Sequence, residues 1–180
     1  MARVKRKLVI GVCMLALGIF IFWEDIYGFR TLEEAVNAEF KSPVQIVNQD
    51  AQNRLVMFKD KTQYVLGVYR EWNGRLYYKN DRGSSGWTAS TMNGPAFLVV
   101  AEKKPDRGNF VWGALYTDIP VRTFLVEYKN GDTQEVNASQ NTFVVKMPEI
   151  YRDSSELGAA SIVKSVNAYG LDNQLIKTWK

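Results

Sequence analysis

The sequence predicts a mainly β protein with an N-terminal transmembrane helix, and three observations lead to this prediction. One long uncharged run lies near the N-terminus, at residues 8–23. From residue 44 onward, short runs rich in β-branched and aromatic residues alternate with turn residues, as in strands joined by tight turns. Between these two parts, residues 31–40 have the apolar periodicity of a helix.

The apolar run Leu8–Trp23 contains sixteen residues and no charge. A helix of this length spans roughly 24 Å, a little less than the roughly 30 Å hydrocarbon core of a bilayer. Basic residues within 1–7 can snorkel at one end, while Trp23 and Tyr27 suit the interface at the other. Because a positive flank stays in the cytoplasm, we expect residues 1–7 to be cytoplasmic and the C-terminal bulk to be extracytoplasmic.

A cleaved secretory leader has the same basic start and apolar core, so the cleavage site distinguishes the two. Signal peptidase requires small residues just after the core. The sequence there, FIFWEDIYGF, is bulky and aromatic. We therefore predict an uncleaved signal anchor at residues 8–23, followed by a tether at residues 24–30. Secretion after cleavage is the alternative.

The composition excludes several kinds of catalytic site. The chain has no histidine, and its single cysteine, Cys13, lies in the apolar run. A Ser-His-Asp triad is therefore impossible, and outside the run thiol nucleophiles and zinc ribbons are excluded as well. We predict that the protein is not an enzyme and has no catalytic residue, no metal and no cofactor. A cysteine-free exported region also fits a bacterial surface.

The charge does not indicate a nucleic-acid partner. Four of the 23 basic residues precede the apolar run, which leaves 19 basic against 19 acidic residues in the exported part. The basic character therefore belongs to the anchor. The predicted partners are the membrane itself and a membrane protein or cell-wall component at the cell surface, and not nucleic acid.

A helix is predicted directly after the tether. Thr31 is the N-cap, and Glu34 completes a capping box three residues later. Leu32, Val36 and Phe40 recur at helical spacing and form one apolar stripe. The Lys-Ser-Pro sequence that follows should end the helix, because the residue before a proline is pushed out of helical geometry.

Residues 31–92 are predicted to form an α+β subdomain, in which an antiparallel β-meander follows the helix. Its strands are expected near 44–48, 54–59, 63–71 and 75–79. An Asn-Gly pair at 73–74 is the strongest short hairpin signal and places Trp72 opposite Arg75. The Gly-, Ser- and Asn-rich residues 80–95 then form a long loop or domain seam that contains Trp87.

Residues 93–180 are predicted to form a seven-strand immunoglobulin-like β-sandwich, because turn signals recur every eight to twelve residues or so. Hairpin turns are expected at KNGD, residues 129–132, and at GLDN, residues 170–173. The seven strands are expected near 96–102, 109–117, 121–129, 132–137, 142–147, 161–168 and 174–179.

The pattern resembles small membrane-anchored extracytoplasmic proteins of Gram-positive bacteria, the Firmicutes. The tail VRTFLVEYKNGDTQEV…NTFVVKMPE…IVKSVNAYGLDNQLI is similar to their closing half, and the basic anchor with its LEEA helix is similar to their front. In such proteins the final turn usually has glycine after Asp or Asn, whereas here Asp172 precedes Asn173. The resemblance implies an immunoglobulin-like C-terminal half and a compartment, and it implies no activity.

The aromatic residues of one hairpin are the best lead to a binding surface. YREWNGRLYY, residues 69–78, concentrates aromatic rings, and exposed rings on a β face stack on sugars or anchor a protein partner. The alternative is that the rings only pack the sheet, as β-propensity arranges. The candidate binding residues are Trp72, Arg75, Tyr78 and Trp87. Trp112 and Trp179 are expected in the core.

Three functions follow in order of preference. The first is a single-pass, non-enzymatic protein that binds or senses a partner or ligand at the cell surface. The second is a carbohydrate or cell-wall binding module that uses exposed Trp and Tyr. The remote third is a glycoside hydrolase that uses carboxylates alone, which requires a pair of acids about 5 Å or roughly 6.5–9.5 Å apart in a cleft.

Overall fold

The structure is a computed structural model, and it describes residues 2–21, 28–61, 63–79, 87, 96–152 and 158–180. The described part of the chain is mainly β, with eleven strands. Its helices are α1 (Ala2–Ile21), α2 (Leu32–Asn37) and α3 (Ala159–Ile162), with a 3-10 turn at Glu149–Tyr151. The strands are β1 (Gln45–Asp50), β2 (Leu55–Asp60), β3 (Gln63–Trp72), β4 (Arg75–Tyr78), β5 (Phe97–Lys104), β6 (Gly108–Leu115), β7 (Val121–Tyr128), β8 (Thr133–Asn137), β9 (Thr142–Lys146), β10 (Val163–Gly170) and β11 (Leu175–Trp179).

All eleven strands lie within two residues of their predicted bounds. The three predicted hairpin turns are confirmed, between β3 and β4, between β7 and β8 and between β10 and β11. The largest difference is at β10, which lies two residues later at both ends, at Val163–Gly170 and not at 161–168, and the residues before it form α3. Local turn chemistry therefore fixes the strand positions well.

Helix α2 has the predicted N-terminus and an earlier C-terminus. The capping box is confirmed, since Thr31 Oγ1 accepts from Glu34 N at 3.2 Å and Glu34 Oε2 accepts from Thr31 N at 3.1 Å. The predicted extension to Phe40 is wrong, because the helix ends at Asn37. There the backbone changes to i→i−3 hydrogen bonds, including Phe40 N to Asn37 O at 3.2 Å, which tighten the last turn.

Helix α1 begins close to the N-terminus and ends at Ile21. Within the ranges given above, no helix combines the length and the apolar character needed to cross a bilayer. The predicted anchor extends to Trp23, and residues 22–27, with most of the predicted tether, lie outside the described residues.

Contacts divide the chain into two units. Unit 1 comprises residues 1–42 and 69–79, and unit 2 comprises residues 43–68 and 80–180. Strand β3 belongs to both, since its first part pairs with β2 and its last part pairs with β4. The sequence placed the boundary between residues 92 and 93, which are outside the described residues.

In unit 1, helix α2 packs against β4. The backbone of Phe29 pairs with that of Leu76 in an antiparallel bridge, with N···O distances of 2.8 and 2.9 Å. Gly28 has a φ of +61°, and a Cβ there would lie 2.6 Å from the ring of Tyr77. Only glycine therefore allows this close approach of the backbone to the ring.

Unit 2 contains two antiparallel sheets with a shared core. The strand orders are β5-β6-β9 and β11-β10-β7-β8. Buried side chains from both sheets form one cluster, in which Phe143 of the first sheet packs on Phe124 of the second with ring centroids 4.7 Å apart. This arrangement is sandwich-like, as the turn spacing predicts.

The β5-β6-β9 sheet is also covered on its opposite face. There Phe110 and Trp112 pack with Leu55, Met57 and other side chains of β1, β2 and the first part of β3. A sheet buried on both faces needs apolar residues at successive positions, which explains the runs FLVVA in β5 and FVW in β6. Trp112 is fully buried, as predicted, whereas Trp179 is only partly buried at the edge of the core.

Candidate functional sites

The predicted hairpin of unit 1 forms as expected. Trp72 pairs with Arg75, and the two residues between them, Asn73 and Gly74, have φ values of +51° and +69°. Two successive positive φ angles are the signature of a type I′ turn, whose twist matches that of the flanking strands. The indole of Trp72 at the tip is 65% exposed.

Strand alternation divides the aromatic residues of this hairpin between two faces. Trp72 shares a face with Arg70, Arg75 and Tyr77, because residues opposite each other in the register point the same way. Tyr78 lies on the other face and is buried, with 6% of its surface exposed. Tyr78 therefore does not present its ring to solvent, whereas Trp72 and Arg75 form an accessible pair.

The fourth candidate residue, Trp87, belongs to unit 2. Its backbone pairs with that of Tyr64 through two hydrogen bonds of 2.9 Å, and its side chain is 43% exposed. The ring of Tyr64 is in turn packed edge-on against Tyr116, with centroids 5.3 Å apart. Trp87 is thus fixed at the edge of β3 by main-chain bonds, with an indole that remains accessible.

A cavity of about 360 Å³ lies in unit 2 where β5 turns into β6 and where β9 ends. Eight of the eleven described residues that line the cavity are polar or charged, including the acidic residues Asp106 and Glu149, although apolar atoms contribute most of the lining surface. The basic residues of its lining are Lys103, Lys104, Arg107, Lys146 and Arg152. Among the described residues of the lining, five cations therefore stand against two carboxylates.

The β5–β6 turn positions the arginine of this cavity. Lys104 O accepts from Arg107 N at 3.1 Å, and Asp106 has a φ of +59°. A proline at the first central position followed by a positive φ is the pattern of a type II turn. Gly108 follows with a φ of +104°, and its missing Cβ leaves room beside the side chain of Lys146. The turn sequence therefore places Arg107 at the cavity.

The opposite rim of the cavity is the 3-10 turn, and Asn109 attaches it to β6. Asn109 Nδ2 donates to Tyr151 O at 2.6 Å and to Arg152 O at 3.1 Å. The ring of Tyr151 stacks on Tyr128 with centroids 5.7 Å apart. Burial raises the pKa of the Tyr128 phenol above its ordinary value, and the nearby Tyr151 and Asp132 add to this effect. The rim is thus held by two side chains from the core.

Two of the five cations are paired. Lys104 is buried and makes a salt bridge to Glu102 with an N···O distance of 2.8 Å, and it also donates to Leu66 O. Arg152 pairs with Glu149 at 2.9 Å on the exposed rim.

The other three cations of the lining have no such partner. Lys103, Arg107 and Lys146 make no ion pair with any residue that the structure describes. Asp106 is the one further carboxylate among the lining residues that the structure describes. These described residues therefore carry an excess of positive charge.

Two buried polar atoms of the cavity lining also lack protein partners. Arg107 Nε, a donor, and Asn109 Oδ1, an acceptor, make no hydrogen bond to any described residue. Asn109 itself is only 3% exposed. Buried polar atoms are almost always hydrogen-bonded, so these two atoms are exceptions, and because solvent does not reach them they do not face the open space of the cavity.

The sequence analysis missed this cavity. Its basic residues come from β5, from the following turn, from β9 and from the 3-10 turn, and their spacing along the chain shows no periodicity. The one local signal is the KKPDRG sequence of the turn, residues 103–108. No group of three or more potential metal ligands occurs among the residues whose positions are given.

Comparisons with protein-family models, with curated proteins and with solved structures give no match to this chain.

Proposed function

We propose that the chain is a single-pass, non-enzymatic extracytoplasmic protein whose unit 2 binds a small anionic ligand in the basic cavity. The observation that carries the binding function is a set of three cations, Lys103, Arg107 and Lys146, which line a cavity of about 360 Å³ and make no ion pair with any described residue. This volume lies within the usual range for small-molecule sites. The cations attract the anion, and a guanidinium such as that of Arg107 forms charge-assisted hydrogen bonds with anionic oxygens.

The surface of α1 supports the anchoring part of the proposal. Its described apolar side chains between Ile10 and Ile19 are exposed on all sides of the helix. A stretch of helix that is apolar all round favours an apolar environment, which a bilayer supplies, and the proposed anchor continues to residue 23, beyond the described end of α1. Expression of the full chain in a Gram-positive host, followed by cell fractionation, tests this. We expect a full-length product in the membrane fraction that external protease degrades, and a shortened product in the medium would contradict it.

We also propose that β5–β11 form an immunoglobulin-like sandwich. Seven strands in two antiparallel sheets around one core support this assignment. The fourth strand, β8, pairs with the third strand, whereas in constant-type immunoglobulin domains it joins the sheet of the first two. Related sandwiches, such as fibronectin type III domains, share the architecture with varied topology.

Anion binding is tested by titration calorimetry of the full chain in non-ionic detergent with inorganic phosphate. The Arg107→Gln and Lys146→Gln variants should each bind phosphate about tenfold more weakly, since a hydrogen bond to a charged group contributes roughly 1.5–3 kcal/mol. Lys129→Gln is the matched control, because Lys129 is exposed in the same unit and is not part of the cavity lining. Unchanged affinity in both cavity variants would contradict the proposal.

A second candidate function is carbohydrate or cell-wall binding through the hairpin of unit 1. The 65% exposed indole of Trp72, on the same face as Arg75, favours it. A Trp72→Ala variant that is retained on peptidoglycan as well as the wild type would exclude this function. A Trp87→Ala variant that is retained on peptidoglycan as well as the wild type would likewise exclude a role for the exposed Trp87 of unit 2.

Glycoside hydrolysis ranks below both. Asp106 and Glu149 do line one cavity, as this chemistry requires of two carboxyl groups. However, Glu149 is engaged by Arg152, and the surrounding cations outnumber the carboxylates. Such a lining favours holding an anion over protonating a glycosidic oxygen.

A further inference from the structure

We infer that the ligand of the basic cavity is a small organic anion, in which the anionic group is joined to an apolar group of a few carbon atoms. This inference rests on the proposed anion-binding function and specifies its ligand. It is drawn from the distribution of charge and carbon over the cavity lining, where the charged groups are exposed and the buried residues face the open space with carbon atoms.

The exposed residues of the described lining are all charged, and we call them the mouth of the cavity. They are Lys103, Asp106, Lys146, Glu149 and Arg152. Glu149 is engaged by Arg152 at 2.9 Å, so the cations Lys103 and Lys146 stand against Asp106 alone among these residues. Charges in contact with water attract an anion from solution and need not be buried to do so. The mouth therefore suits the anionic end of a ligand.

The buried residues of the described lining, which we call the inner lining, turn their polar groups away from the open space. They are Lys104, Asn109 and Met147, each less than a tenth exposed. The ammonium of Lys104 is engaged by Glu102 and by Leu66 O. Asn109 Nδ2 donates to two main-chain carbonyls of the 3-10 turn, and solvent does not reach its Oδ1. The inner lining therefore faces the cavity with carbon atoms.

The carbon surface continues from the inner lining to the mouth. Half-buried Pro148 follows Met147 in the lining. A Cβ at Gly108 would lie 3.4 Å from Cε of Lys146, so the methylenes of this lysine lie along the β5–β6 turn. Lysine commonly packs its methylenes on a surface while its ammonium stays in water. This arrangement explains why apolar atoms contribute most of the lining surface although most of the lining residues are polar or charged.

An inorganic anion uses only part of this cavity. A volume of about 360 Å³ has room for on the order of ten water molecules, far more than one phosphate ion requires. The remaining space borders carbon atoms, and a ligand group that removes such surface from water gains affinity only if the group is itself apolar. The space suits a few carbon atoms and is too small for the acyl chains of a membrane lipid.

The test compares two phosphate esters that differ only in the length of an alkyl chain. Titration calorimetry of the full chain in non-ionic detergent measures the affinity for ethyl phosphate and for butyl phosphate, with a titration into detergent alone as the blank. We expect butyl phosphate to bind about tenfold more tightly, since each buried methylene adds up to about fourfold in affinity. Equal affinity, or binding of inorganic phosphate alone, would overturn the inference and leave anion binding intact. Binding of neither ester nor inorganic phosphate would overturn the proposed function.

A substitution of Met147 assigns the chain-length preference to the inner lining. Met147→Gln keeps a side chain of similar length and brings an amide to the lining, so butyl phosphate should lose most of its advantage while ethyl phosphate keeps about its wild-type affinity. Met147→Leu is the matched control, because it conserves volume and apolar character and should keep the preference. A full preference in Met147→Gln would overturn the role of the inner lining. Since Met147 also belongs to the core cluster, the wild-type comparison of the two esters decides the ligand class independently of whether the variants fold.

An anionic group joined to carbon also occurs in phospholipids, and nanodiscs distinguish this source from a free ligand. The full chain is inserted into nanodiscs of phosphatidylglycerol or of phosphatidylcholine and titrated with butyl phosphate. Equal binding in the two lipids supports a free organic anion. Weaker apparent binding in phosphatidylglycerol would overturn the free ligand in favour of a lipid headgroup.

Discussion

Strand β6 passes through two contrasting environments within eight residues. Its middle, Val111–Ala114, is buried on both faces, and the one polar side-chain atom there, Trp112 Nε1, donates to Glu102 at 2.8 Å. Its beginning, Gly108 and Asn109, borders a cavity with unpaired cations and two unpartnered buried atoms. In the middle, the side chains are buried and the one polar side-chain atom is hydrogen-bonded. At the beginning, the buried Oδ1 of Asn109 has no hydrogen-bond partner among the described residues.

The contrast indicates where stability and where binding reside. Proteins depart from full hydrogen-bond satisfaction mainly at functional sites, and compensate for the departure elsewhere. The doubly covered middle of β6 supplies that compensation, since it packs against side chains of both neighbouring sheets. We therefore expect substitutions in the middle to reduce stability, and substitutions at the beginning to change ligand affinity.

The largest effect is expected from Gly113→Ala in the middle of β6. A Cβ there would lie 2.2 Å from Leu98 O and 2.7 Å from Cε1 of Phe143, so the main chain itself must move. The free energy of unfolding should fall by about 3 kcal/mol or more, as measured by urea denaturation.

Gly158→Ala is the control for this substitution. Its nearest atom beyond the chain neighbours is Ser161 Oγ at 3.5 Å, and its φ of −67° suits any residue. We expect a change in unfolding free energy below about 1 kcal/mol. If Gly113→Ala unfolded at the same urea concentration as Gly158→Ala, the middle of β6 would not be as tightly packed as described.

Lys104→Met tests the network in which Glu102 pairs with Lys104 and accepts a hydrogen bond from Trp112. The variant removes the cation from the 2.8 Å pair and leaves the Glu102 carboxylate, with a side chain only 20% exposed, without its charge partner. A stability loss of about 3 kcal/mol is expected in urea denaturation. Glu102→Gln/Lys104→Met should recover much of it, because the glutamine still accepts from Trp112. A double variant no more stable than the single one would show that the charge imbalance is not the cause.

Tyr128→Phe tests how the buried phenol of Tyr128, which stacks on Tyr151 of the cavity rim, stabilises the fold. The test is the pH dependence of unfolding. Since burial raises the pKa of this phenol, its neutral form stabilises the fold below about pH 10, and this contribution is lost as the pH rises further. The variant also loses the 2.6 Å bond to Gln134 and should lose about 1 kcal/mol at neutral pH. The gap in urea midpoint between wild type and variant should narrow above pH 10. A gap that stays constant to pH 11.5 or so would contradict this role.

The smallest effect is expected from Glu127→Gln, on β7 and outside the cavity lining. Hydrogen bonds from Lys164 and Ser165, at 2.5 and 3.1 Å, lower the pKa of this carboxyl. The ionised form therefore stabilises the fold above the unfolded pKa of about 4.3, and the contribution is lost as the pH falls through the lower folded value. The variant should be slightly less stable than wild type at pH 7 and equal to it near pH 2 or so. A difference that persists at low pH would point to lost packing.

The sequence predicted the elements of the fold better than the candidate site. Strand bounds, the Asn73-Gly74 turn and the Thr31 capping box depend on interactions within a few residues, and local patterns encode them directly. The candidate binding residues were chosen by type, and strand alternation then separated exposed Trp72 from buried Tyr78. Alternation was visible in the sequence, but which face would be covered was not.

By itself, then, the sequence determined where strands, turns and the α2 cap occur, because φ/ψ preferences and short-range hydrogen bonds act locally along the chain. Only the tertiary structure decided that the β5-β6-β9 sheet is covered on both faces, and that cations from β5, its turn and β9 converge on one cavity. Burial and convergence arise from contacts between residues tens of positions apart. The cavity, and the unpartnered oxygen of Asn109 within its lining, are therefore properties of the packed sheets and not of any sequence motif.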